Sequence, residues 1–149
     1  MRGMLARLVP LALMLAACSG GEPDVAVGEA WAAASAPGQK VGAAYFTVAN
    51  RGSGADRLVS VTSDAGSGAS LHSSSVKDGI ARMRPLTDGL EIAGGGSAVL
   101  SPGGNHVMLT GLKQPLVAGQ AIALTLRFER SGERQVRAAV RPAMAHMGH

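Results

Sequence analysis

Apolar residues fall into short runs broken by clusters of Gly, Pro, Ser and Asp, and no stretch past the first twenty residues keeps a helical repeat. Short runs of this kind, at regular spacing, predict β-strands. The expected strands are Val25 to Trp31, Ala43 to Asn50, Leu58 to Ser63, Ser70 to Ser73, Ile80 to Arg84, Leu90 to Ile92, Ala98 to Leu100, His106 to Leu109, Ile122 to Glu129 and Gln135 to Val140. Turn clusters separate them, among them Arg51-Gly52-Ser53-Gly54, Lys77-Asp78-Gly79, Ala93-Gly94-Gly95-Gly96, Ser101-Pro102-Gly103-Gly104 and Arg130-Ser131-Gly132-Glu133. So many short strands imply an all-β sandwich or barrel. The last strand interleaves Arg134, Arg137 and Arg141 with Val136, Ala138 and Val140, which reads as a solvated or edge strand guarded by charge.

The 149 residues suit one ordinary domain, and 46% hydrophobic against 16% charged residues is a globular balance. Aromatics make up only 3%, so the core is expected to consist of Val, Leu, Ile, Ala and a few Met.

The N-terminus reads as an export signal, with Arg2 and Arg7 ahead of an apolar run from Leu8 to Ala17. A membrane-spanning helix needs about 20 apolar residues, and this run is too short. Leu15-Ala16-Ala17-Cys18 matches a lipobox, in which the only cysteine is acylated and becomes the mature N-terminus. The expected layout is a signal peptide over 1–17, a lipidated N-terminus and linker over 18–24, a domain over 25–141 and a tail over 142–149. The mature protein should face the periplasm from a bacterial membrane. Ser19 replaces the aspartate that marks inner-membrane retention in enteric bacteria, which leans toward the outer membrane and leaves the inner open.

Acylation of Cys18 leaves no thiol for catalysis, disulfides or metal ligation, so soft-metal binding must use methionine. Loss of Arg2 and Arg7 leaves 12 basic against 10 acidic residues, near +2 and not +4, which gives nucleic-acid binding little support.

With Met1, Met4 and Met14 in the signal, only Met83, Met108, Met144 and Met147 remain, beside His72, His106, His146 and His149. In His106-Val107-Met108 the first and third side chains of a strand share one face, with Cα atoms about 6.5 Å apart, and both can reach one ion. Val107 then points into the core with Leu109. Taken alone, the pair is weak evidence and better suits a packing role. Imidazole and thioether are soft or borderline donors without charge and favour Cu(I). Zinc normally recruits Cys, several His or carboxylates, calcium and magnesium want clustered oxygens, and blue copper needs a cysteine.

At this point the chain resembles the PCu(A)C copper chaperones. The likeness runs through Ala30-Trp31, Gly42 to Asn50, Asp56-Arg57-Leu58-Val59, Leu71-His72, Asp78 to Pro85, Leu100 to Leu109, Gly111 to Leu116 and Leu124 to Glu129. The family's copper motif is a His, ten residues, a Met, about 21 residues and His-x-Met. Here His72 and Met83 enclose ten residues and Met83 and His106 enclose 22, the extra residue falling in a Gly-rich stretch. Ser73 stands where the family often has a methionine.

The resemblance implies a cupredoxin-like (immunoglobulin-like) β-sandwich that holds Cu(I) with His72, Met83, His106 and Met108. It also implies delivery to respiratory oxidase copper sites and no catalytic turnover. The expected partner is an oxidase copper-site subunit or another copper chaperone. Copper sequestration without a dedicated acceptor is the alternative function, and a sandwich lipoprotein without metal is the third. Met144, His146, Met147 and His149 form a second donor cluster, expected to take Cu(I) or Cu(II), against the alternative of an incidental tail.

Overall fold

Alternation of buried and exposed side chains produces twelve strands in the computed structural model, which describes residues 21–142. The expected signal, Cys18 and the tail donors Met144, His146, Met147 and His149 lie outside the described residues. The strands are β1 (Val25–Val27), β2 (Trp31–Ala33), β3 (Gly42–Tyr45), β4 (Thr47–Asn50), β5 (Asp56–Ser63) and β6 (Gly66–Lys77). They continue with β7 (Ile80–Pro85), β8 (Leu90–Ile92), β9 (Ser97–Val99), β10 (Asn105–Leu112), β11 (Ala121–Phe128) and β12 (Gly132–Arg141). No helix occurs among the described residues.

One sheet has the order β1-β4-β9 and the other β7-β6-β10-β3-β2-β12-β11-β5-β8. All described ladders are antiparallel except β2 with β12, where Trp31–Ala33 runs parallel to Ala139–Arg141. Two expected strands are split. Ala43 to Asn50 bends at buried Phe46, so that β3 joins the large sheet and β4 the small one. Val25 to Trp31 breaks at Gly28, whose N–H donates to the Thr47 carbonyl at 2.6 Å.

The core is aliphatic, as expected, but takes its aromatic part from Phe46 and Phe128 and includes no described methionine. Trp31 sits partly exposed, 4.5 Å from the Tyr45 ring, with the Arg141 guanidinium 5.5 Å from its own ring centre. Burial raises the Tyr45 pKa.

The expectation for the last strand needs correction. β12 lies inside the sheet, with β11 along Gly132–Ala139 and β2 along Ala139–Arg141, so only its first half, paired with β11 alone, has an open side. Arg134 also shares the side of Val136, leaving Arg137 and Arg141 to alternate with the apolar set.

Asp56 ties β5 to the β11–β12 turn. Its carboxylate accepts from the backbone N–H groups of Arg57, Arg130 and Ser131 and from the Ser131 hydroxyl. Burial pushes its pKa up, but the hydrogen bonds from Ser131, Arg130 and Arg57 outweigh this and the pKa lies below the usual aspartate value. A carboxylate with a depressed folded pKa stabilises above its unfolded value and loses that contribution as pH falls through the folded one. Thermal unfolding should therefore show a stability loss setting in below about pH 4. Asp56→Asn should be less stable at neutral pH and show a shallower acid loss; an unchanged acid profile in the variant would contradict this role.

Candidate metal centre

Three neighbouring strands carry the candidate ligands. In the β10–β6 ladder His106 lies directly opposite His72, and Met108 opposite Ser70. In the β6–β7 ladder Ser74 lies opposite Met83 and His72 opposite Pro85. Directly opposed residues share a face, and so do residues two apart on one strand. His72, Met83, His106 and Met108 therefore all project from the same side of the β7-β6-β10 portion of the sheet. The other side belongs to the core, where Leu71, Val107 and Leu109 are buried, as the alternation at His106-Val107-Met108 requires.

The β6–β7 connection fixes this register. Lys77 pairs with Ile80 across the two-residue turn Asp78-Gly79. Both turn residues have positive φ, 54° and 75°, the type I′ geometry that matches strand twist. A longer turn or a one-residue slip would turn Met83 to the opposite face.

The imidazoles are oriented by their neighbours. His106 Nδ1 lies 3.1 Å from the Gly104 carbonyl oxygen. A carbonyl only accepts, so Nδ1 carries the proton and Nε2 presents its lone pair. His72 Nε2 lies 2.9 Å from the Ser70 hydroxyl, while His72 Nδ1 is buried and has no hydrogen-bond partner. Ser70 can accept from Nε2–H, and in that tautomer Nδ1 is a bare lone pair. Buried polar atoms without partners are uncommon, and on a candidate ligand such an atom is a donor that a soft cation can satisfy. The two rings stack with centroids 5.9 Å apart and planes 20° apart.

The methionines also sit where a packing role is excluded or partial. Met83 is 52% exposed on the edge strand β7, and Met108 is half-buried. A cleft of about 370 Å³ opens over Met83, His106 and Met108, walled by Ala33, Ala34, Val41 and Ala43. These small side chains leave space above the sulfurs. Among the described residues no three His, Cys, Asp or Glu side chains gather, so the donor set stays at two imidazoles and two thioethers, suited to a soft cation. Ser70, the Gly104 carbonyl and the Ala33, Ala34 and Val41 walls were not expected as site components. Ser70, two residues before His72, carried a signal in its spacing; the others did not.

Comparison with known proteins follows the same lines. A family model described as "Putative lipoprotein LpqE-like" matches residues 25–140. The chain belongs to this LpqE-like family. A family relative, "Putative lipoprotein Lxx21020" of Leifsonia xyli subsp. xyli (strain CTCB07), is 44% identical over 104 residues, 70% of the present chain. That match spans 61% of the relative's length. Among solved structures, the LpqE-like chain is similar to the copper-bound PCuAC domain from PmoF2, with 25% identity and a TM-score of 0.67 over 79% of this chain and 92% of that one. It is also similar to the solution structure of CuI-DR1885 from Deinococcus radiodurans, with 31% identity and a TM-score of 0.62 over 77% of this chain and 76% of that one. The resemblance to PCu(A)C proteins and the cupredoxin-like sandwich are both borne out.

Proposed function

We propose that this LpqE-like protein is a lipid-anchored, exported Cu(I) chaperone. In this reading His72, Met83, His106 and Met108 hold the cargo, Cys18 carries the lipid, and residues 25–141 form the copper-binding domain. The placement of the four side chains on one face of neighbouring strands, with a buried His72 Nδ1 that lacks a partner, is the observation that carries the reading. The copper-bound PCuAC domain and CuI-DR1885 support it by likeness.

Release to an acceptor is then ligand exchange, and the fold sets its order. His106 is 8% exposed and braced by Gly104, whereas Met83 is half out in solvent on an edge strand. An incoming donor reaches the Met83 side first, and the neutral thioether is the ligand that yields most readily. The acceptor proposed is an oxidase copper-site subunit or another copper chaperone.

A Cu(I) competition titration of the non-lipidated chain from Ser19 onward should give one tight equivalent. Truncation after Arg141, which keeps β12 and all four core ligands, should retain it, because strand-borne donors are already positioned. The tail donors Met144, His146, Met147 and His149 are proposed as a weaker secondary site, since their sequence offers no strand pattern to pre-position them and each residue ordered on binding costs about 1–2 kcal/mol. X-ray absorption should show sulfur and nitrogen scatterers together; nitrogen and oxygen neighbours alone would remove Met83 and Met108 from the site. Oxidase assembly in a deletion strain under copper limitation, against tolerance to excess copper, separates delivery from sequestration.

A further inference from the structure

The segment expected to be a free tether is fastened to the domain. The Arg51 N–H donates to the Asp24 carbonyl at 2.8 Å, and the Asp24 N–H donates to the Asn50 side-chain oxygen at 3.0 Å. The Gly54 N–H donates to the Glu22 carbonyl at 3.4 Å. Arg130 closes the arm, donating to the Gly21 carbonyl at 3.4 Å and pairing with the Glu22 carboxylate at 3.8 Å. The seat has no room for side chains: a Cβ on Gly52 would run into the Glu22 carbonyl, and one on Gly54 into the Gly21 carbonyl. Two glycines in the β4–β5 turn thus let the arm lie backbone against backbone.

Only Ser19 and Gly20 separate the seated Gly21 from Cys18. Three Cα–Cα steps of about 3.8 Å reach at most about 11 Å. We infer that the lipidated protein is held with the turn end formed by Arg51–Gly54, Ala93–Gly96 and Arg130–Ser131 directly against the bilayer, with no freedom to swing on a flexible leash. These turns adjoin one another: the Gly95 N–H donates to the Gly52 carbonyl at 2.8 Å, and the Ser131 and Arg130 N–H groups bind Asp56. The opposite end of the sandwich, at Asp64 and Gln120, faces away, because β5 and β11 run antiparallel between the two.

Charge does not draw this end to lipid, since Arg51, Arg57 and Arg130 are accompanied by Glu22, Asp24, Glu91 and Glu129. The short anchor alone sets the approach, so it should persist in high salt. The inference rests on the acylated Cys18 of the proposed function, and it restricts acceptors to proteins held at the same membrane.

The test uses acylated full-length protein in phosphatidylethanolamine–phosphatidylglycerol vesicles that contain a headgroup nitroxide lipid. Acylated Cys18 leaves an introduced cysteine as the only free thiol, and a fluorophore is placed on Ala93→Cys or on Gln120→Cys. The Ala93 label should be quenched several-fold more than the Gln120 label, at low and high salt alike. Inserting ten Gly/Ser residues between Gly20 and Gly21 should abolish the difference without touching the fold. Protein that floats with the vesicles but shows equal quenching at both positions overturns the membrane-apposed orientation alone. Protein that does not float overturns the anchor, and this inference with it.

Discussion

Replacing His106 with alanine should lower Cu(I) affinity by more than about 100-fold. Partners that merely orient a metal ligand are worth about 10–100-fold in affinity, and removing a buried, pre-oriented ligand must exceed that. His106 supplies the less exposed imidazole, with its ring held by Gly104 and its partner ring stacked 5.9 Å away. The fold should survive, because Val107 and Leu109 on the opposite face carry the packing of β10. Ser70→Ala provides the graded control: it leaves all four donors in place but frees the His72 ring, and should cost about 10-fold. Competition against a Cu(I) chelator, with circular dichroism to verify the fold, checks both. Unchanged affinity in His106→Ala would move the principal site off this sheet face.

The largest expected loss of stability lies elsewhere, at Asn50. This side chain is 2% exposed and makes four hydrogen bonds. Its oxygen accepts from the Asp24 and Gly52 N–H groups at 3.0 and 3.1 Å, and its amide donates to the Gly54 and Ile92 carbonyls at 2.8 and 3.3 Å. Asn50→Leu keeps the side-chain branching but strands all four partners. An abandoned buried group costs about 1–3 kcal/mol, and partial access of water to the arm side reduces the sum to about 3–5 kcal/mol. The melting temperature should fall by about 10–20 °C in a domain of this size. Asn50→Asp retains the two acceptor contacts and loses the donors, so it should fall between. A loss under about 1 kcal/mol in Asn50→Leu would mean that the arm and turn hold themselves without it.

Much of this architecture is legible along the chain, and the failures have physical causes. Ile80 to Arg84 and Leu90 to Ile92 appear almost as expected, since each is short and flanked by turn residues, although only the first is formed by a local hairpin and the second pairs with β5 far back in the chain. β6 does not. The expected strand, Ser70 to Ser73, is the middle of a strand running from Gly66 to Lys77, through Gly, Ala and Ser residues that carry little strand propensity. β10 and β7 on either side supply ladders along its length, so tertiary pairing overrides composition. The bend at Phe46 likewise depends on which sheet each half joins. At the site, the His106-Val107-Met108 spacing is a local signal. The meeting of His72 and Met83 with that pair depends on the β6–β10 and β6–β7 registers, and the bracing of His72 by Ser70 depends on a rotamer.

The parallel ladder between Trp31–Ala33 and Ala139–Arg141 joins nearly the first strand of the domain to the last. Closing a loop of almost the whole domain costs chain entropy before any contact repays it, which makes such topologies slow to fold. If the domain crosses the membrane N-terminus first, as the proposed lipoprotein would, β2 waits on its β12 side until β12 has crossed. Completion of the large sheet is therefore a late event in folding, timed by the arrival of β12. Until then β2 keeps an open strand edge, the kind of surface that invites mispairing.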